Sequence, residues 1–145
     1  MFLAGENITA GRLNRLQPKP YIVKASGSLA AGSTNADVPG CSIAFTTEAA
    51  NAVVQCSWST DYDLTGASTT LASSRLMLDG ATGSDVFTIN QENAGGANDR
   101  VTAAQFWQFT VASAGAHTIK MIATTPANTT VNVYTAIKLL VIEVA

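Results

Sequence analysis

Residues 105–123 constrain the fold most, because apolar and polar side chains alternate there in two consecutive runs. Alternation with a period of two is typical of a β-strand that buries one face. A three-residue loop ending at Gly115 would place apolar residues opposite apolar residues and would put glycine where the turn needs a positive φ. The pattern therefore predicts a β-hairpin with the apolar pairs Phe109–Ile119 and Trp107–Met121.

Residues 41–46 and 54–59 show the same alternation on either side of a short loop at 48–51. The spacing predicts a second hairpin, with Phe45 opposite Val54 and Ile43 opposite Cys56. In that register Cys41 and Cys56 share a face but lie diagonally, roughly 7–8 Å apart, at or beyond the reach of a disulfide. We expect two reduced thiols in the core.

Further β-type segments, separated by turn signals such as Asp79-Gly80, recur about every dozen residues through the rest of the chain, which is typical of a sandwich or jelly roll. The prediction is an all-β fold, an eight-stranded antiparallel jelly-roll sandwich over residues 21–145. Its strands lie at 21–28, 41–46, 54–59, 75–78, 86–90, the two hairpin arms and 129–144.

The strand predicted at 129–144 changes character along its length. One face carries Val131, Val133, Ile137, Leu139 and Val141, whereas the other face is polar at first and ends in three apolar residues. A strand that is apolar on both faces needs cover on both, and a single small sandwich leaves its outer face bare. The pattern predicts a subunit interface, to which we add the two apolar residues on the even face of the 105–123 hairpin. The predicted interface residues are Phe106, Ile122, Leu140, Ile142 and Val144.

Residues 1–20 differ from the rest and are predicted to form an arm. Thr9 can cap a short helix that has two leucines on one side, and Pro18 and Pro20 end it. One or two turns of helix are not stable alone, so the leucines must pack on this chain or on a neighbour. The residues assigned to attachment are Gly5, Glu6, Thr9, Leu13, Asn14 and Leu16.

Composition argues against several classes of function. The chain has 145 residues, of which 12% are charged and 47% hydrophobic, and its net charge is −2. The eight Lys and Arg residues are scattered singly, so nucleic acid is not an expected partner. Residues 137–144 form the longest apolar run near the end, and Lys138 and Glu143 interrupt it, so no membrane span is expected. The first residues lack a signal-type run, which favours synthesis in a cytosol.

Residues suited to catalysis or metal binding are few, and no cofactor is expected. His117 follows a turn without a nucleophile implied beside it, so we interpret it as structural or exposed. Asp61 and Asp63 share a strand face, which is compatible with a glycosidase pair or a cation site, but we expect them to solubilise the strand end and start a turn. Three aromatic residues, Trp58, Trp107 and Phe109, could stack on sugars, although their alternation favours core packing.

Residues 91–100 form the longest predicted non-strand stretch after the arm. The segment is polar and contains two adjacent glycines. It is either a plain connection or a receptor-binding loop, because loops carry function more often than the scaffold does. The candidate receptor residues are Gln91, Glu92, Asn93, Asn98, Asp99 and Arg100.

Two stretches resemble known proteins. The opening Ala-Gly-Glu-Asn-Ile-Thr-Ala-Gly-Arg-Leu-Asn at 4–14 resembles the start of many tail-associated and fibre proteins of bacteriophages and prophages. The segment from Ala-Gly-Ala-His-Thr-Ile at 114–119 to Leu-Leu-Val-Ile-Glu-Val at 139–144 is similar to the last strands of trimeric jelly rolls of the tumour-necrosis-factor and complement-like type. The resemblance implies an arm that attaches to a particle and a jelly roll that trimerises and displays its loops. No shaft separates the two, which favours a short minor tail or decoration protein over a long fibre.

The sequence therefore supports one leading hypothesis and two alternatives. The leading hypothesis is a non-enzymatic virion structural protein, a homotrimer whose partners are itself and other virion proteins. The first alternative is a module on the virion that binds a host-surface glycan or receptor. The second, less favoured, is a carbohydrate-cleaving enzyme.

Overall fold

The computed structural model describes residues 9–66, 71–89 and 99–143. In these ranges one short helix, α1 (Ala10–Leu16), precedes ten strands. The strands are β1 (Lys19–Lys24), β2 (Ala36–Thr47), β3 (Ala52–Leu64), β4 (Ala72–Leu78), β5 (Thr82–Gly83), β6 (Phe87–Ile89), β7 (Asp99–Val111), β8 (Gly115–Thr124), β9 (Thr129–Val131) and β10 (Ala136–Ile142).

The strands form two antiparallel sheets that pack as a sandwich. Sheet I has the order β1-β10-β3-β7, with β9 also paired to β3, and sheet II has the order β2-β8-β4-β5, with β6 paired to β4. The strands β1, β2, β3 and β4 therefore alternate between the sheets, which is jelly-roll-like wiring. The all-β antiparallel sandwich predicted from the sequence is confirmed. The strand count differs because β5 adds a short piece and the last predicted strand is divided into β9 and β10.

Both predicted hairpins are wrong. The strand β7 pairs with β3, and β8 pairs with β2 and β4, so residues 112–114 cross from one sheet to the other. Residues 48–51 likewise join β2 in sheet II to β3 in sheet I. Each of these two connections is an arch, which joins a strand of one sheet to a strand of the other. The apolar faces of the two joined strands still meet, but they meet across the core instead of side by side in one sheet. Gly115 has a positive φ of 137°, as expected for a glycine at this position.

The core lies between the inner faces of the two sheets. In sheet I, Val54, Leu139 and Val141 are fully buried, and Ile119 and Met121 of sheet II are buried opposite them. The fully buried residues of each strand recur at every second position, as the period-two pattern requires. The alternation in the sequence thus correctly identified the inward face of these strands.

The strand predicted at 129–144 breaks between β9 and β10. Thr135 donates its N–H to the Asn132 carbonyl at 3.1 Å, and Asn132 Oδ1 accepts the N–H of Val133 at 2.6 Å, closing a tight turn. Val133 and Tyr134 are consequently exposed instead of lying in the sheet. Val133 is therefore not part of the apolar inner face predicted for it.

Candidate functional site

The outer face of sheet I carries several of the predicted interface residues. Strand register places Phe106 beside Ser57, Leu140 beside Gln55 and Ile142 beside Val53, all on the side away from the core. Phe106 is 62% exposed. Leu140 and Ile142 are half-buried. Three of the five predicted interface residues therefore share one surface, which we call the outer face.

Ile22 belongs to the outer face, although sequence analysis did not select it. Register places it beside Lys138 on β10, which pairs with Ser57, so Ile22 and Phe106 lie in one row across the sheet. Ile22 is 69% exposed. At about 4.8 Å between strands, these two side chains stand roughly 15 Å apart. They form two apolar projections on either side of the outer face.

A groove of about 270 Å³ opens on the outer face beside Ile22. Its floor is made of small side chains on three adjacent strands, Ser57, Ser59, Ala104 and Ala136. Small residues on neighbouring strands leave a depression because no long side chain rises from them. The groove and the projecting Phe106 thus lie next to each other on the same surface.

Ile122 and Val144 do not join this surface among the described residues. Ile122 lies on β8 in sheet II, beside Asp37 and Arg75, and is only 7% exposed. The prediction that Ile122 and Phe106 share the even face of one hairpin is wrong, because their strands belong to different sheets, which pack about 10 Å apart. Val144 lies outside the described residues.

The N-terminal helix forms as the sequence predicts, yet none of its residues is fully buried. Thr9 is the N-cap, and its hydroxyl accepts the N–H of Arg12 at 3.3 Å. None of the residues of α1 is buried, and Leu13 is 51% exposed. Leu16 is half-buried, and the carbonyl of Asn14 accepts the N–H of Gln17 at 3.3 Å. Gly5 and Glu6 of the predicted arm lie outside the described residues.

A charged cluster joins the start of β1 to the sandwich. Lys19 Nζ lies 3.1 Å from Glu48 Oε1 and 3.8 Å from Glu143 Oε1. The buried carboxylate of Glu143 also accepts the N–H groups of Glu48 and Ala49 at 2.9 and 3.2 Å. The hydrogen bond to Glu48 raises the pKa of Lys19. This end of sheet I, which we call the arm end, is therefore tied together where the arm leaves it.

At the opposite end of sheet I, which we call the far end, Asp61 is buried in an ion pair with Arg100. Arg100 Nε donates to Asp61 Oδ1 at 3.1 Å and Nη2 donates to Oδ2, while the Thr102 hydroxyl donates to Oδ2 at 3.2 Å. The hydrogen bond to Asp61 raises the pKa of Arg100. The prediction that Asp61 solubilises the strand end is wrong, because its carboxylate is buried and paired with the guanidinium of Arg100.

Tyr134 covers the same ion pair. The guanidinium carbon of Arg100 lies 4.4 Å from the centre of the Tyr134 ring. Tyr134 is nevertheless 63% exposed, so the ring is held on one side and open on the other. Nearby on β3, opposite Arg100, Asp63 has one buried carboxylate oxygen, Oδ1, without a hydrogen-bond partner.

His117 has a structural environment. Its Nδ1 lies 2.8 Å from Asp79 Oδ2 and its Nε2 lies 3.2 Å from the Ser113 carbonyl, and Phe45 packs against the ring. The imidazolium form can donate to both oxygens at once. Partial burial raises the pKa of Asp79, but hydrogen bonds from His117 and the Thr118 N–H and the charge of His117 lower it overall. His117 thus links the turn after β4 to the arch before β8.

The aromatic residues considered for sugar stacking belong to the core. Trp58 is buried, and Trp107 and Phe109 pack partly buried against the core with their ring centroids 4.2 Å apart. Core packing was the favoured interpretation of their alternation and is confirmed. Cys41 and Cys56 are buried free thiols, and burial raises their pKa to about 11 and about 12.

The receptor loop predicted from the sequence is mostly not described. Gln91, Glu92, Asn93 and Asn98 lie outside the described residues, while Asp99 and Arg100 begin β7. Within the described ranges, no group of three His, Cys, Asp or Glu side chains could hold a metal ion. The same ranges contain no helix long and apolar enough to cross a membrane.

Comparison with known proteins leaves the family open. No protein-family model and no curated protein matches the sequence. Among solved structures, the chain is similar to part of dimeric latent PorU from Porphyromonas gingivalis, with a TM-score of 0.49 and 9% sequence identity. The similarity covers 86% of this chain and 12% of that one, so this chain spans about an eighth of that protein's length.

Proposed function

We propose that the chain is a non-enzymatic virion structural protein, a minor tail, fibre or decoration protein, that attaches by its arm and trimerises through its jelly roll. The observation that carries the proposal is the outer face of sheet I, where Phe106 and Ile22 project beside a groove. Assignment to a phage particle rests on the resemblance of residues 4–14 to the start of tail-associated proteins.

The arrangement of the outer face favours self-association. A projecting aromatic side chain and a groove with small residues on its floor are complementary, and both lie on the same surface of one chain. When the projection of one copy enters the groove of the next, the contact is heterologous, and a suitable rotation closes it into a ring. Three copies form such a ring in the proposed assembly.

The state of α1 supports attachment to another surface. The helix has seven residues, far fewer than a helix needs for stability in water by itself. Since it buries none of its residues, a partner that covers Leu13 would supply the missing apolar contact. In the proposed particle that partner is another virion protein.

The carboxylates of β3 support a non-enzymatic role. A carbohydrate-cleaving mechanism needs one carboxylic acid and one carboxylate facing a shared substrate. The Asp61 carboxylate instead binds Arg100 and the Thr102 hydroxyl, and it is buried under them. We therefore assign Asp61 to the structure of the far end.

Sedimentation velocity and native mass spectrometry of the whole chain test the proposal. We expect a trimer at micromolar concentration that dissociates on dilution without unfolding. A clean monomer at that concentration would refute trimerisation through the outer face. Cross-linking in purified particles, with a cross-linkable residue at Leu13, would then identify the protein that contacts α1, and cross-links solely within this chain would refute attachment by the arm.

A further inference from the structure

The far end of sheet I presents an exposed aromatic ring in a fixed position. The turn that carries Tyr134 is fastened to β3 at two points: Asn132 donates its N–H to the Asp61 carbonyl at 2.8 Å, and Asp61 donates its N–H to Thr135 Oγ1 at 3.0 Å. The turn is also closed internally by its own hydrogen bonds. A tyrosine on such a turn loses little conformational entropy when a ligand stacks on it.

The ring is also supported from beneath. Arg100 lies against one face of Tyr134, and Arg100 is itself held by two hydrogen bonds to the buried Asp61. The Asp61 pair uses Nε and Nη2 of the guanidinium, and the Arg100 side chain remains 43% exposed beside the ring. The exposed part of the Tyr134 ring and the exposed part of Arg100 together provide an apolar surface with N–H donors beside it. Asp63 Oδ1 is buried and does not reach this surface.

The exposed ring of Tyr134 and the paired Arg100 favour some classes of ligand over others. An apolar peptide would require more apolar surface than the turn at 132–135 offers, because Val133 and Tyr134 are its exposed apolar side chains. A nucleotide could stack on the ring, but the charge of Arg100 is already compensated by Asp61, and Asp63 beside it adds a further negative charge that disfavours a phosphate. A neutral sugar presents an apolar ring face for stacking and hydroxyls that both donate and accept hydrogen bonds.

We propose that the far end is a glycan-binding site in which a neutral pyranose stacks on Tyr134 and accepts a hydrogen bond from Arg100. The site lies about seven residues along β3 from the row of Lys19, about 23 Å from the arm end. It is separate from Ile22 and Phe106, so it does not rest on the proposed trimer. A chain attached by its arm would present this site outward.

Saturation-transfer NMR with the methyl glycosides of glucose, galactose, mannose, arabinose and N-acetylglucosamine tests the site. We expect transfer to the ring protons of at least one sugar at millimolar concentration. Tyr134→Phe keeps the stacking face and should bind within about threefold of the original chain, whereas Tyr134→Ala should weaken binding about tenfold or more.

Several results would overturn the proposal. They are no transfer to any of the five glycosides, equal binding by the Tyr134→Ala variant, and stronger transfer to uridine monophosphate than to every glycoside. Val133→Ala serves as the matched control, because it removes a neighbouring exposed side chain from the same turn. Loss of binding in that variant equal to the loss in Tyr134→Ala would show that the turn, and not the ring, determines binding, and would also overturn the proposal.

Discussion

Replacing Phe106 with serine tests the outer face most directly. The side chain of phenylalanine buries about 200 Å² when fully covered. Since Phe106 is 62% exposed, a neighbouring copy could cover about 120 Å² of it. At about 25 cal/mol per Å², its burial contributes about 3 kcal/mol to each contact between subunits. That free energy corresponds to roughly a hundredfold change in the association constant of each contact.

A closed trimer has three such contacts, so the effect is multiplied. The overall trimerisation constant should fall by about six orders of magnitude, and the concentration at half-association should rise about a thousandfold. The stability of the separated subunit should change by less than about 0.5 kcal/mol, because the substitution removes an exposed side chain. Sedimentation velocity over a dilution series, together with urea unfolding of the monomer, measures both quantities.

Leu71→Ser provides the matched control. Leu71 is 50% exposed, so the change removes a comparable apolar side chain, but this residue directly precedes β4 in sheet II. Its trimer should form at the original concentration. Unchanged half-association in the Phe106→Ser variant, or an equal loss in Leu71→Ser, would refute the assignment of the interface to the outer face.

Three further predictions concern the ends of the sandwich and the core. The pKa of Asp79 is lower in the folded state than its ordinary 3.8, so its contribution to stability is present above about pH 4 and is lost as the pH falls through the folded-state value. Asp79→Asn should therefore flatten the acid side of a plot of melting temperature against pH. An unchanged plot would contradict the ion pair with His117. Glu143→Ala should lower the free energy of unfolding by about 2 kcal/mol, because two backbone N–H groups lose their acceptor. Glu48→Ala removes an exposed ion pair with Lys19 and should lower it by well under about 1 kcal/mol, as measured by urea titration. Similar losses in the two variants would contradict the larger role of the buried Glu143 carboxylate. Both buried cysteines should resist iodoacetamide in the native protein and react after unfolding, because burial raises the pKa of the thiols. Mass spectrometry of the labelled protein measures both reactions. Rapid labelling of the native chain would show that the thiols are accessible.

Local features of the fold could be predicted from the sequence because each depends on a few adjacent residues. The alternation in β3, β8 and β10 identified which side chains face inward, and Thr9 with the following residues identified a capped helix. The Asp79-Gly80 turn after β4 was also correctly placed, and both residues have positive φ. In each case the information lies within one turn of helix or a few strand positions.

The pairing of strands could not be predicted in the same way. Matching apolar residues across the 112–114 loop is satisfied by a hairpin, whose two apolar faces lie side by side. It is equally satisfied by an arch, whose apolar faces meet across the core. Period-two patterns fix the direction of a side chain relative to its own sheet, but they do not say which sheet the strand joins.

The composition of the outer face could be predicted in part, for related reasons. Phe106, Leu140 and Ile142, which share the outer face, could be selected because each departs from an otherwise polar side of its strand. Ile22 was missed although it lies between Tyr21 and Val23, so that β1 is apolar on both faces, which is the signal applied to the last strand. The partnership of Asp61 with Arg100 depends on β3–β7 pairing over a long sequence separation, which no local pattern reveals.

The position of β10 has a consequence for how the chain folds during synthesis. This last described strand lies in the interior of sheet I, between β1 and β3. A nascent chain that has not yet released residues 136–142 from the ribosome cannot close that sheet, and it exposes the unpaired edges of β1 and β3. Since the strands β1, β2, β3 and β4 alternate between the sheets, hairpins between them cannot serve as early local nuclei, and folding should be slow and wait for the release of β10. Nascent chains arrested before Ala136 should therefore be protease-sensitive and dependent on chaperones, even though most of their residues have already been made.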